Sequence, residues 1–202
     1  VLAFEEDPHE PPARPFHVEA LPEEAAREAV RLARRLALPL EGYTADGGFF
    51  VEGDSPLLEA HQRLLGVEAE GADLLRLSSP LVRLQVLAEG EAPVERLLEA
   101  LPRGLQAHVA ESPKMPGVRF VSLTKEGVSK LSAARLVAEA YGLPLSECAM
   151  VGDGENDLEL LRAVGVGIAM GNAPPSVKRA AQRVVAPVEA CGLAEALRLL
   201  RG

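Results

Sequence analysis

Three acidic side chains, Asp153, Glu155 and Asp157, fall within five positions of the run Val151-Gly152-Asp153-Gly154-Glu155-Asn156-Asp157. Carboxylates this close repel one another, and a divalent cation offsets that repulsion. Magnesium suits such a loop: it takes one or two carboxylates, keeps several waters, and leaves room for a phosphate. Gly152 and Gly154 let the backbone turn sharply and approach a ligand. The same residues also suit an acidic turn in which Asn156 or Asp157 caps the following helix. Composition alone favours the turn. The position at the end of an apolar strand shifts the balance toward a cation.

Two further segments could act with this loop. In Gly127-Val128-Ser129-Lys130, Ser129 is a natural helix N-cap and Lys130 falls in the first turn. A cation there opposes the helix dipole. It is either a lysine aimed at an anion bound near the helix start or an ordinary solvated lysine. In Ala169-Met170-Gly171-Asn172-Ala173-Pro174-Pro175, Asn172 sits in another strand-to-helix turn. It can bond a ligand or the loop after Asp153, or simply serve the turn.

These residues need a scaffold that brings three loops to one edge. From Lys125 onward, strands and helices alternate. Helix is expected at Ser129–Tyr141, Asp157–Val164, Pro175–Gln182 and Gly192–Leu200, and strand at Cys148–Val151, Val166–Met170 and Arg183–Ala186. Repeated β-α-β units imply a parallel sheet covered by helices, with ligands beyond the carboxyl ends of the strands. Upstream, the pattern gives a helix at 22–37, whose apolar stripe is Ala26, Val30, Ala33 and Ala37. A hairpin follows at Gly42–Glu52, turning at Asp46-Gly47-Gly48. Then come a helix at 55–65, a strand at Leu81–Ala88 and a helix at Pro93–Leu101. Two strands, Gln106–Ala110 and Val118–Leu123, follow, separated by Ser112–Gly117. Val1–Phe4 suits a short strand, and Asp7–Pro12 a linker.

Composition narrows the classes. The chain has 202 residues, 48% hydrophobic and 25% charged, as in a soluble globular protein of one large or two small domains. A net charge of −9 argues against general nucleic-acid binding and against anionic membranes. No apolar run of about 18 residues predicts a membrane span. No signal peptide is evident, and the two cysteines, Cys148 and Cys191, match no metal spacing. A cytoplasmic location with reduced thiols is expected. The four histidines are scattered without a metal-ligand pattern. With aromatics at 3%, the core must be Leu, Val and Ala.

Taken in order, Gly127-Val128-Ser129-Lys130, Gly152-Asp153-Gly154-Glu155-Asn156-Asp157, Met170-Gly171-Asn172-Ala173 and a closing Gly192-Leu193 resemble the haloacid dehalogenase superfamily. Within it they resemble the Cof-like sugar-phosphatase branch. The close match covers about residues 124 to 195. The resemblance implies an α/β fold: a Rossmann-like core plus an inserted α/β cap. It implies residues 1–16 as residual core strand and linker, 17–117 as cap and 118–202 as core. It also implies a magnesium-dependent hydrolase of a small phosphate monoester. Lys130 then matches the phosphate-binding lysine that shields the nucleophile's charge. Asp153 and Asp157 match the metal-site acids, and Asn156 and Asn172 match loop positions near the phosphate. The family also carries an Asp-x-Asp motif whose first Asp attacks phosphorus and whose second is the general acid and base. These 202 residues contain no Asp-x-Asp. The expectation is therefore an incomplete core holding the metal-side half of the site. A phosphomutase of the same superfamily and an inactive truncated binding or assembly protein are the alternatives.

Overall fold

The computed structural model describes residues 2–4 and 15–201, which form two compact units, the first ending at Gly127 and the second beginning at Val128. The chain is a mixed α/β protein, as expected. Among the described residues, no helix is long and apolar enough to cross a membrane.

In the first unit, β1 (Leu2–Phe4) pairs antiparallel with β2 (Pro15–Val18). Helix α1 (Glu23–Arg35) follows, with Glu23 and Glu24 at its positive end and Arg34 and Arg35 at its negative end. Strands β3 (Leu40–Thr44) and β4 (Phe49–Glu52) form the expected hairpin. Helix α2 (Pro56–Leu65) starts at Ser55, whose side chain accepts the Leu57 N–H, and ends at Gly66 in the left-handed conformation. Then come β5 (Glu70–Gly71), β6 (Leu81–Glu89), α3 (Ala92–Glu99), β7 (Leu105–Ser112) and β8 (Met115–Lys125). Six strands make one sheet in the order β5-β4-β3-β6-β8-β7.

Alternation along the strands divides the core of this sheet. Leu84, Val86, Val121 and Leu123 face α1 and α3, meeting Ala29, Val30, Ala33 and Leu97. Leu87, Val118 and Phe120 face the other way and pack with Leu58 of α2. Each fully buried Val or Leu here contributes about 1.5–3 kcal/mol.

Two expectations about this region are corrected. The division between units falls after Gly127, not after Gly117. Residues Val118–Lys125 are the greater part of β8, which is hydrogen-bonded to β6 on one side and β7 on the other. They therefore belong to the first sheet. The spacer expected at Ser112–Gly117 is mostly strand, since β7 and β8 join through Pro113 and Lys114. Residues Leu2–Phe4 are a short strand, as expected, paired antiparallel with β2. The linker expected at Asp7–Pro12 lies outside the described residues.

The second unit is a run of β-α units. It comprises α4 (Lys130–Ala140), β9 (Ala149–Gly152), α5 (Leu158–Ala163), β10 (Val166–Ala169), α6 (Pro175–Ala180), β11 (Arg183–Val184) and α7 (Gly192–Arg201). The three strands are parallel in the order β11-β10-β9. Ala169 packs with Leu161 and Val177 of α5 and α6, while Ile168 packs with Ala196 of α7. The sheet is thus covered on both faces, as parallel sheets require. The carboxyl ends of β9 and β10 lead into the loops that carry Asp153 and Asn172.

Candidate functional site

The site is built on the second unit alone. Strand β9 ends at Gly152, and a single 3-10 turn, Glu155–Asp157, intervenes before α5. Asp157 closes that turn from within. Its side chain is buried, and its Oδ2 accepts the N–H groups of Asp153 at 3.1 Å and Gly154 at 3.0 Å. Two peptide N–H groups aimed at one carboxylate oxygen bend the loop around it. Its Oδ1 accepts a hydrogen bond from Lys130 Nζ.

Gly152 explains why the carboxylate fits. A Cβ added there would lie 2.7 Å from Asp157 Oδ2 and 2.8 Å from its Cβ and Cγ. The missing side chain makes room for Asp157 rather than for a ligand, a role that the spacing of glycines did not reveal.

Lys130 is the first residue of α4. Ser129 caps that helix by accepting the Ser132 N–H, and Ser132 Oγ in turn bonds the Ser129 backbone. The cap fixes the first turn. Lys130 then spans to Asp157 with its side chain about half exposed. An ammonium has three donors. One is used by Asp157.

Asp153 is exposed, and Asn172 Nδ2 donates to its Oδ2 at 3.2 Å. Asn172 Oδ1 accepts the Val188 N–H at 3.1 Å, tying the loop after β10 to the turn after β11. The second oxygen of Asp153 has no hydrogen-bond partner among the described residues.

Lys130, Asp157, Asp153 and Asn172 therefore form one connected chain across three loops. Asn156 is exposed and bonds to none of them. Glu155 is drawn aside, since its Oε1 accepts from Ser176 Oγ at 3.1 Å. That brace had no sequence signal beyond Ser176 lying in the first turn of α6. Of the three acids in the loop, Asp157 has both oxygens bonded, whereas Asp153 and Glu155 each keep one oxygen without a hydrogen-bond partner among the described residues; Asp153 is the one tied to Asn172. Among the described residues, no three His, Cys, Asp or Glu side chains gather as a metal cluster. Magnesium needs only one or two carboxylates when water and phosphate complete its shell, so Asp153 fits that ion.

The sequence pattern of haloacid dehalogenase-like hydrolases matches residues 14–197, which spans both units. The chain belongs to the haloacid dehalogenase-like hydrolases. The Cof-like reading of its motifs agrees with that membership. Among curated members, the chain is similar to the HMP-PP phosphatase of Cronobacter sakazakii. Identity is 31% over 137 residues, covering 65% of this chain and 48% of that protein. It is 34% identical over 82 residues to a phosphoglycolate phosphatase of Methanothermobacter thermautotrophicus, covering 41% of this chain and 37% of that one. The chain thus spans less than half the length of these two relatives. Among solved structures, it resembles one of the haloalkanoate (HAD) superfamily phosphatases, from Bacteroides thetaiotaomicron. The TM-score is 0.75 at 26% identity, over 92% of this chain and 67% of that chain.

Proposed function

We propose that the second unit is the phosphate- and metal-side half of a site that hydrolyses a small phosphate monoester. The observation that carries this is the bonded chain Lys130–Asp157–Asp153–Asn172, which joins a cation, a carboxylate oxygen without a hydrogen-bond partner and an amide at the ends of parallel strands. Its relatives' names, both phosphatases, support the same reaction.

Each residue then has a distinct task. Asp153 would hold magnesium, with Asn172 fixing its carboxylate orientation. The bound ion supplies charge neutralisation at a phosphoryl oxygen. Lys130 binds the phosphate through the donors that Asp157 leaves, stabilising charge on the transferring group. Asp157 is a positioning residue, because both of its oxygens are committed to protein donors. Asn156 stands beside the phosphate on the exposed side of the turn. The cap expected at residues 17–117 would select the leaving group. The attacking carboxylate and the general acid belong to a segment outside these 202 residues, since no Asp-x-Asp occurs within them.

The test is hydrolysis of a panel of phosphate monoesters by the protein from its full reading frame. Asp153→Asn should raise the magnesium concentration needed for half-maximal rate, and Lys130→Ala should mainly depress turnover. Unchanged kinetics in both variants would refute the assignment. Release of free phosphate, rather than isomerised sugar phosphate, separates hydrolysis from a mutase reaction.

A further inference from the structure

The face of the first sheet that meets α2 is apolar at one end and polar at the other. Toward the polar end, register aligns four side chains across four strands. Tyr43 of β3 pairs with Arg83 of β6. Leu84 pairs with Leu123, which sets Arg83 beside Thr124 of β8, and Thr124 pairs with Gln106 of β7. Alternation puts these residues on the same face.

Arg83 is the anomaly in this row. Its guanidinium carbon lies 3.9 Å from the centre of the Tyr43 ring, and that ring stacks on Phe49 at 4.8 Å and 14°. The aromatic pair holds the guanidinium flat and restricts its rotation. Yet Arg83 Nε is buried without a hydrogen-bond partner, alone in this among the buried side-chain N and O atoms of the described residues. The nearby buried carboxylate, Glu41, is committed elsewhere. It receives His61 Nδ1 at 2.7 Å on one oxygen, and Tyr43 Oη and Gln85 Nε2, each at 2.9 Å, on the other. No carboxylate among the described residues pairs with Arg83. An arginine held rigid without a counter-ion is unfavourable in the free protein and favourable once an anion arrives. Next to it, Thr124 Oγ1 accepts Gln106 Nε2 at 3.2 Å, which leaves the hydroxyl hydrogen to donate.

We propose that Arg83, held on the Tyr43–Phe49 stack with Thr124 beside it, binds the oxyanion of a small organic acid or phosphate ester. The guanidinium edge supplies paired N–H donors, and the Thr124 hydroxyl a third. The site lies wholly within the first unit and is independent of Lys130.

The test follows the Arg83 Nε–H resonance in the 202-residue chain by nitrogen-15 NMR. Arg83→Lys assigns the signal by removing it. Inorganic phosphate and malonate are titrated separately, with sodium chloride as the ionic-strength control. A saturable shift of the Arg83 signal is expected at millimolar anion. The anion that saturates it at lower concentration identifies phosphate or carboxylate as the natural group. Thr124→Val should weaken that response severalfold, and Lys130→Ala should leave it unchanged. No shift with either anion, or a shift that chloride reproduces, overturns the proposal. So does a response that disappears in Lys130→Ala.

Discussion

Asp157→Ala separates a positioning role from a mere surface acid. In the wild type, one buried carboxylate satisfies the N–H groups of Asp153 and Gly154 and holds Lys130. Hydrogen bonds to a charged group are worth about 1.5–3 kcal/mol each, so the two N–H bonds together contribute about 3–6 kcal/mol. The Lys130 pair adds at most about 1 kcal/mol, because the lysine is half exposed and water screens it. Truncation leaves two partly buried donors without partners and a loop without its centre. Taking the lower bound of about 3 kcal/mol, local opening should become on the order of a hundredfold more frequent. Amide hydrogen exchange of the 202-residue chain reads this directly. The Asp153 and Gly154 amides should lose about two orders of magnitude in protection, while the Val86 and Val121 amides of the first unit keep theirs. Unchanged protection at 153 and 154 would refute the claim that Asp157 organises the loop.

Two further perturbations test neighbouring parts of the account. Gly152→Ala should expel the Asp157 carboxylate from its pocket, since the new Cβ meets it at 2.7–2.8 Å. Overpacking costs about 1–3 kcal/mol, and the second unit's urea midpoint should fall accordingly. In the first unit, Lys125 Nζ at 2.5 Å and, less strongly, His17 hold the Glu19 carboxyl below its ordinary value. A depressed carboxyl contributes stability above the unfolded-state value of about 4.5 and loses it as pH falls through the lower folded value. Glu19→Gln should therefore narrow the gap between urea midpoints measured at neutral pH and near pH 3. An identical gap in the variant would contradict the pairing.

Much of the fold was legible because local chemistry agrees with tertiary packing. Ser55 before Pro56 and Ser129 before Lys130 mark helix starts that both side chains cap. Asp46-Gly47-Gly48 turns the β3–β4 hairpin at the expected place. Where the reading went astray, the deciding partner lies far along the chain. Nothing within Val118–Lys125 says that both its edges are taken by β6 and β7. Proline and glycine at 116 and 117 suggested a loop, yet β8 runs through them. In the site, residue types and order pointed to Lys130, Asp153, Asn156, Asp157 and Asn172, and the structure joins all of them but Asn156 in one bonded chain. The spacing of three acids did not reveal which was buried, which was braced by Ser176 and which was held by Asn172. That division depends on the turn Glu155–Asp157 and on the empty space at Gly152.

Phosphate binding to the 202-residue chain, measured by calorimetry with and without magnesium, tests the central claim most directly. Magnesium should tighten phosphate binding in the wild type. Asp153→Asn should abolish that enhancement, and Lys130→Ala should weaken phosphate binding whether or not magnesium is present. Phosphate affinity that is indifferent to magnesium, and equal in wild type and both variants, would contradict it.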